Sequence, residues 1–114
     1  MRQSLAGFSQ VSIGSAPDGT GRYVAFIEGT PELFSRVLGI SFERIRDHLD
    51  DLDAAQICTE SGVYALLGFY INAPKKGMDI YISEKSKSPK RDLEEVLEAI
   101  SGGGARIIWR EPNI

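Results

Sequence analysis

The chain has 114 residues, 42% hydrophobic and 25% charged, which suits one domain, 1–114, with a single core, and excludes a largely disordered or fibrous chain. A formal net charge of −3 argues against a dedicated non-specific DNA binder. The one cysteine, Cys58, excludes an internal disulfide and any cysteine-based zinc site.

Residues 1–7 read as a frayed start, and MRQSLAGFSQ has no apolar h-region of a signal peptide. No apolar run approaches the ~20 residues that span a bilayer. The expectation is a soluble, cytoplasmic protein with no membrane association. Phe8 to Ile13 carries a weak alternating strand signal, and Gly14 to Gly21, GSAPDGTG, is a loop by composition. Arg22 to Glu28 reads as a central strand, with Tyr23, Ala25 and Ile27 on one side and Val24 and Phe26 on the other. These two strands could pair as a hairpin.

Thr30-Pro31-Glu32 is a helix start, with a capping hydroxyl and proline at the first helical position, and Gly39 stops that helix. Ser41 starts a second, in which Phe42, Ile45, Leu49 and Leu52 recur at helical spacing. Ala54 to Ile57 extends this helix, or Gln56 to Thr59 forms a strand.

Gly62 to Ser83, GVYALLGFYINAPKKGMDIYIS, is the longest apolar and most β-prone stretch, with turn residues at Pro74 and Gly77. It predicts a hairpin with a four-residue loop, Pro74 to Gly77, pairing Tyr70 with Tyr81. One face then carries Val63, Ala65, Leu67, Phe69, Ile71, Met78, Ile80 and Ile82. The other carries Tyr64, Leu66, Tyr70, Asn72, Asp79, Tyr81 and Ser83. Ser88-Pro89 caps a last helix with Leu93, Val96, Leu97 and Ile100 on one face. Gly102-Gly103-Gly104 ends it, and Ala105 to Trp109 forms a last strand. The order from Arg22 onward predicts an α+β fold. It is a ferredoxin-like split βαβ sandwich with an extra N-terminal strand and helices on one face of a mainly antiparallel sheet.

No catalytic, metal or cofactor signature emerges. Gly14 to Gly21 lacks the lysine and following helix of a P-loop, since Thr20-Gly21-Arg22 leads into a strand. His48 with Asp47 or Asp51 is the least favoured, enzymatic reading; the usual metal spacings are absent. Cys58 has no evident base and reads as inert. The lysines and arginine at 75, 76, 85, 87, 90 and 91 could bind an anion, but loop lysines are usually only solvated.

Two surfaces remain as binding candidates. Glu43, Asp47, Asp50, Asp51 and Asp53 form an acidic face on the second helix, either solvated or steering a basic protein partner. Tyr64, Tyr70 and Tyr81 form an apolar sheet face too large to leave bare. A protein partner, a homodimer of stacked sheets, or single-stranded bases would cover it, nucleic acid ranking last. The plainer reading is that the N-terminal strand and loop fold over it.

The last third, MDIYISEKSKSPKRDLEEVLEAISGGGARIIW, runs strand, polar loop, helix, glycines, apolar strand. In this layout, small size and acidic balance the chain resembles bacterial toxin-immunity proteins, including those of contact-dependent growth inhibition systems. The resemblance implies a non-catalytic cytoplasmic inhibitor that binds and neutralises a cognate toxin, often a nuclease. It carries over no binding residue. The runner-up function is a single-stranded nucleic-acid or small-ligand binding module using the tyrosine face.

Overall fold

The computed structural model describes residues 7–47, 50–100 and 106–114. The start at 1–6, His48 and the glycine stop at 102–104 lie outside these. The described elements are β1 (Phe8–Val11), β2 (Arg22–Ile27), α1 (Pro31–Leu38), β3 (Glu43–Arg46), β4 (Asp51–Thr59), β5 (Tyr64–Tyr70), β6 (Met78–Ile82), α2 (Pro89–Ile100) and β7 (Ile107–Arg110). The fold is α+β, and its sheet is antiparallel at every pairing in the order β1-β4-β5-β6-β2-β7. β3 shares the outer edge of β4 with β1.

α1 begins where capping chemistry places it, and α2 begins at Pro89 as expected. Thr30 Oγ1 accepts from Leu33 N at 3.1 Å, Pro31 needs no donor there, and Gly39 ends α1 at φ 72° with its N–H on Ser35 O. In α2, Leu93, Val96, Ala99 and Ile100 are buried and Leu97 packs beside them. Fully burying one large aliphatic side chain stabilises by about 1.5–3 kcal/mol, against at most about 1 kcal/mol for a surface ion pair. The apolar stripe, not the charges, therefore orients α2.

These helical residues and Phe34 join one core with Ala25, Ile27, Ala55, Ile57, Ala65, Leu67, Met78, Ile80 and Ile82. The strand members all fall on a single sheet face by register. Leu52, Ala54 and Gln56 are also buried, but by register they lie on the opposite face, with Tyr70, Gly68 and Leu66.

The expected second helix is not formed. Its residues build a β-hairpin instead, β3 and β4, in which Ile45 faces Leu52 and Glu43 faces Ala54. The physical reason lies in charge placement. In a helix the clustered acids would share faces and repel. In the hairpin, Arg44 meets Asp53 at 2.7 Å and Arg46 meets Asp51 at 2.9 Å across the strands. Asp47 starts the turn, its Oδ1 accepting from Asp50 N and its own N–H donating to Asp50 O.

β1 does not pair with β2. It pairs with β4, whereas β2 lies between β6 and β7 on the far side of the sheet. β7 runs from Ile107 and does not include Arg106; Ala105, the expected start of the strand, lies outside the described residues.

In the central hairpin, Tyr81 faces Leu66 rather than Tyr70, a displacement of four residues. The four-residue loop is replaced by a longer connection between Tyr70 and Met78. An even displacement leaves every side chain on its expected face, because the strand period is two. Ala65, Leu67, Met78, Ile80 and Ile82 are indeed buried, and Tyr64, Tyr70 and Tyr81 stay on the other side, half-buried.

Candidate functional site

The sheet face away from the helices is built in two rows of directly opposed residues. One row runs Trp109, Phe26, Asp79, Gly68, Ala54 across β7, β2, β6, β5 and β4. The other runs Tyr23, Tyr81, Leu66, Gln56, Val11 across β2, β6, β5, β4 and β1. Alternation along each strand brings Asp79 and Tyr81 to this same face.

At the β2 and β7 end the aromatics cluster. Tyr23 and Tyr81 have ring centroids 5.4 Å apart, tilted by 40°. Tyr23 and Trp109 are 5.0 Å apart and stacked at 21°. Such pairs contribute about 0.5–1.5 kcal/mol beyond area burial. Tyr23 and Trp109 are nonetheless 40% exposed each; Ile107, 44% exposed, pairs with Ile27 of the opposite face. With Val37, these are the exposed large hydrophobics among the described residues, and three of the four lie on the paired strands β2 and β7. The exposed stack of Tyr23 and Trp109 marks the open face.

Sequence reading missed Tyr23 and Trp109 as members of this cluster. It placed Tyr23 with Ala25 and Ile27. A bulge between Tyr23 and Ala25 instead puts Tyr23 opposite Tyr81, while Ala25 and Ile27 stay in the core opposite Ile80 and Met78. No residue in RYVAFI announces that bulge. For Trp109 a signal existed, an aromatic in a short terminal strand, but its neighbours depend on β7 pairing with β2.

Gly68 opens room at the centre of the face. A Cβ there would lie 3.0 Å from Leu52 Cδ1 and 3.9 Å from Tyr81 Cε1. The bare backbone leaves room for the Leu52 side chain, while Tyr81 stands at ordinary contact distance. Tyr70 donates to Asp47 Oδ2 at 2.7 Å. Tyr23 faces Tyr81, the residue two along β6 from Asp79. Burial pushes the hydroxyl pKa values of Tyr23, Tyr70 and Tyr81 up, and the nearby charges of Asp79 and Asp47 add to it. The three tyrosines therefore stay protonated donors at neutral pH. Burial also raises the Asp79 carboxyl above its ordinary range, opposed by the Tyr23 hydrogen bond.

The third predicted tyrosine, Tyr64, is set apart. It faces Cys58 and lines a cavity of about 380 Å³ with Asp18, Ser61, Ser83, Lys85 and Arg91. The 12–21 loop reaches over this end of the face. Gly14 N donates to Gln56 Oε1, and Gln56 Nε2 donates to Ser15 Oγ, both at 3.2 Å. The loop thus covers the Gln56 end and leaves the Tyr23 and Trp109 end open.

The acidic residues sit on the β3 and β4 hairpin and the turn between them. Asp51 and Asp53 are in the cross-strand ion pairs above. Asp50 Oδ1 accepts from Asn72 Nδ2 at 2.8 Å and from Asp51 N at 2.7 Å. Glu43 is exposed on the outer strand. Only Asp47 joins the aromatic face, through Tyr70. Among the described residues no group of three or more His, Cys, Asp or Glu is placed to hold a metal ion. Nor is any described helix long and apolar enough to cross a membrane.

No family model, curated protein or solved structure matches this chain.

Proposed function

We propose that this chain is a non-catalytic protein-binding module that docks its partner on the open sheet face of Tyr23, Tyr70, Tyr81 and Trp109. One observation carries the reading: the Tyr23 and Trp109 stack on the open face is exposed by 40% on each residue. Tyrosine and tryptophan are the residues most often found as anchors of protein interfaces. The scaffold reading is the ferredoxin-like split sandwich. The order β7-β2-β6-β5, with α1 between β2 and β5 in the chain and α2 between β6 and β7, supports it. In that reading the β3 and β4 hairpin is an insertion before β5, and β1 is an addition to the sheet edge. The most concrete form of the function is an immunity-type inhibitor that neutralises a basic toxin domain in the cytoplasm.

The acidic turn and strand contribute less than the aromatic face to this reading. Exposed ion pairs such as Arg44–Asp53 and Arg46–Asp51 already offset much of their charge locally. Single-stranded nucleic acid, which also stacks on aromatic sheets, is the second reading; Asp79 and Asp47 beside the rings disfavour it, because phosphates would meet carboxylates.

The test is affinity capture from the native host with the tagged chain and a Tyr23→Ala/Trp109→Ala variant of verified fold, with and without nuclease. A stoichiometric protein that survives nuclease and is lost with the variant is expected. Equal capture by both forms would refute docking on this face. Capture abolished by nuclease would transfer the face to nucleic acid.

A further inference from the structure

We infer that the anchor this face receives is an arginine side chain of the partner protein, stacked on the Trp109 and Tyr23 rings and paired with Asp79. The inference rests on the docking reading above and names the chemistry of the occupant.

The charges of the face carry it. Asp79 lies half-buried in the same cross-strand row as Trp109, two strands away, a backbone separation of roughly 10 Å. Tyr23 lies between them, with its ring stacked on Trp109 and directly opposite Tyr81, the residue two along β6 from Asp79. Asp47 adds a second carboxylate at the Tyr70 end. No ion pair to Asp79 is formed by an arginine or lysine among the described residues. Arg22 is held by Glu111, Arg44 by Asp53, Arg46 by Asp51, Arg106 by Glu28 and Arg110 by Glu94. At Asp79 the face therefore offers π surfaces and a carboxylate that no arginine or lysine among the described residues pairs.

Each element of that arrangement selects against other occupants. An anionic ligand would be repelled by Asp79. A purely apolar partner surface would desolvate the carboxylate without compensation. A second copy of this chain would bring another Asp79 carboxylate and no cation to pair it. Lysine satisfies the charge but concentrates it at a point. A guanidinium lies flat on an aromatic ring while its N–H fork reaches a carboxylate, which suits rings and acid in one row.

Trp109 is the chain's single tryptophan, so its emission reports on the face directly. The experiment titrates the full chain at low salt with an arginine hexapeptide, a lysine hexapeptide and a hexathymidylate oligonucleotide. It uses wild type, Asp79→Asn, and Glu60→Gln, a charge-matched control in the β4 to β5 turn. A saturable Trp109 response to the arginine peptide is expected, weakened at least about fivefold by Asp79→Asn, unchanged by Glu60→Gln and smaller with lysine. Equal binding by wild type and Asp79→Asn overturns the inference. So does a response to the oligonucleotide with a flat arginine titration. A flat arginine titration, while partner capture still depends on Trp109, overturns the arginine anchor and leaves the docking reading standing. A dimer that dissociates on Trp109→Ala would show that a second copy covers the face, and it overturns the inference too.

Discussion

Replacing Thr59 by valine isolates the junction that ties the sheet to α2. Thr59 is only 4% exposed, and its hydroxyl has two partners: it donates to Glu95 Oε2 at 2.5 Å and accepts from Val63 N at 3.0 Å. Ser61 Oγ donates to the same Glu95 oxygen, so one carboxylate gathers the β4 to β5 turn onto the helix. Valine keeps the volume and removes both hydrogen bonds. The Val63 N–H loses its partner, a penalty of about 1–3 kcal/mol, and the charge-assisted bond to Glu95 is lost as well. The Glu95 share is small, because that carboxylate is well solvated and exposed pairs contribute at most about 1 kcal/mol. The variant methyl recovers some apolar burial. The net expectation is a loss of about 2 kcal/mol, or about 8 °C in Tm for a domain of this size.

Urea denaturation at neutral pH measures this directly, and acid pH adds a second check. The Ser61 and Thr59 hydroxyls hold the Glu95 carboxyl below the ordinary glutamate range. A depressed folded-state pKa contributes stability above the unfolded value, and that contribution disappears as pH falls through the folded one. The gap between wild type and Thr59→Val should therefore narrow at acid pH. Stability of Thr59→Val within about 0.5 kcal/mol of wild type at neutral pH would refute the reasoning. So would a larger loss from Glu95→Gln than from Thr59→Val, since the buried oxygen, not the carboxylate, is argued to dominate.

Gly77→Ala is expected to destabilise by about 1–3 kcal/mol or more in thermal melts, because overpacking is resisted by rigid groups. A Cβ there would lie 2.4 Å from Phe26 Cζ and 2.9 Å from the Ile27 carbonyl oxygen. Gln56→Leu should lose about 1–2 kcal/mol by denaturation and speed proteolysis in the 12–21 loop, because both loop hydrogen bonds at Gly14 and Ser15 go. Asp79→Asn should leave the protein at least as stable as wild type at neutral pH. Burial raises the Asp79 carboxyl, so the favourable protonated contribution is present below the ordinary aspartate range and lost as pH rises through the raised value. Melts at two pH values should show the variant's advantage fading in acid; a variant less stable at neutral pH would show that the carboxylate supports the fold.

Much of the local structure was legible from residue order alone. Thr30, Pro31 and Gly39 bounded α1 because caps act within a few residues. Leu93, Val96 and Ile100 marked α2 because one apolar face repeats every turn. The face assignment of Tyr70 and Tyr81 followed from alternation and survived a four-residue displacement of the hairpin, because only an odd slip exchanges faces. Tertiary pairing decided the rest. Phe42, Ile45, Leu49 and Leu52 fit a helical spacing, yet Arg44 and Arg46 find their acids only across a hairpin. β1 chose β4 over its chain neighbour β2, and the bulge at Tyr23 moved that ring beside Tyr81 and Trp109. Periodicity and capping are short-range and can be read along the chain. Which strand edges meet, and where a bulge relieves their mismatch, depends on residues far apart in sequence. The candidate site, assembled from β2, β5, β6 and β7, belongs to that second kind.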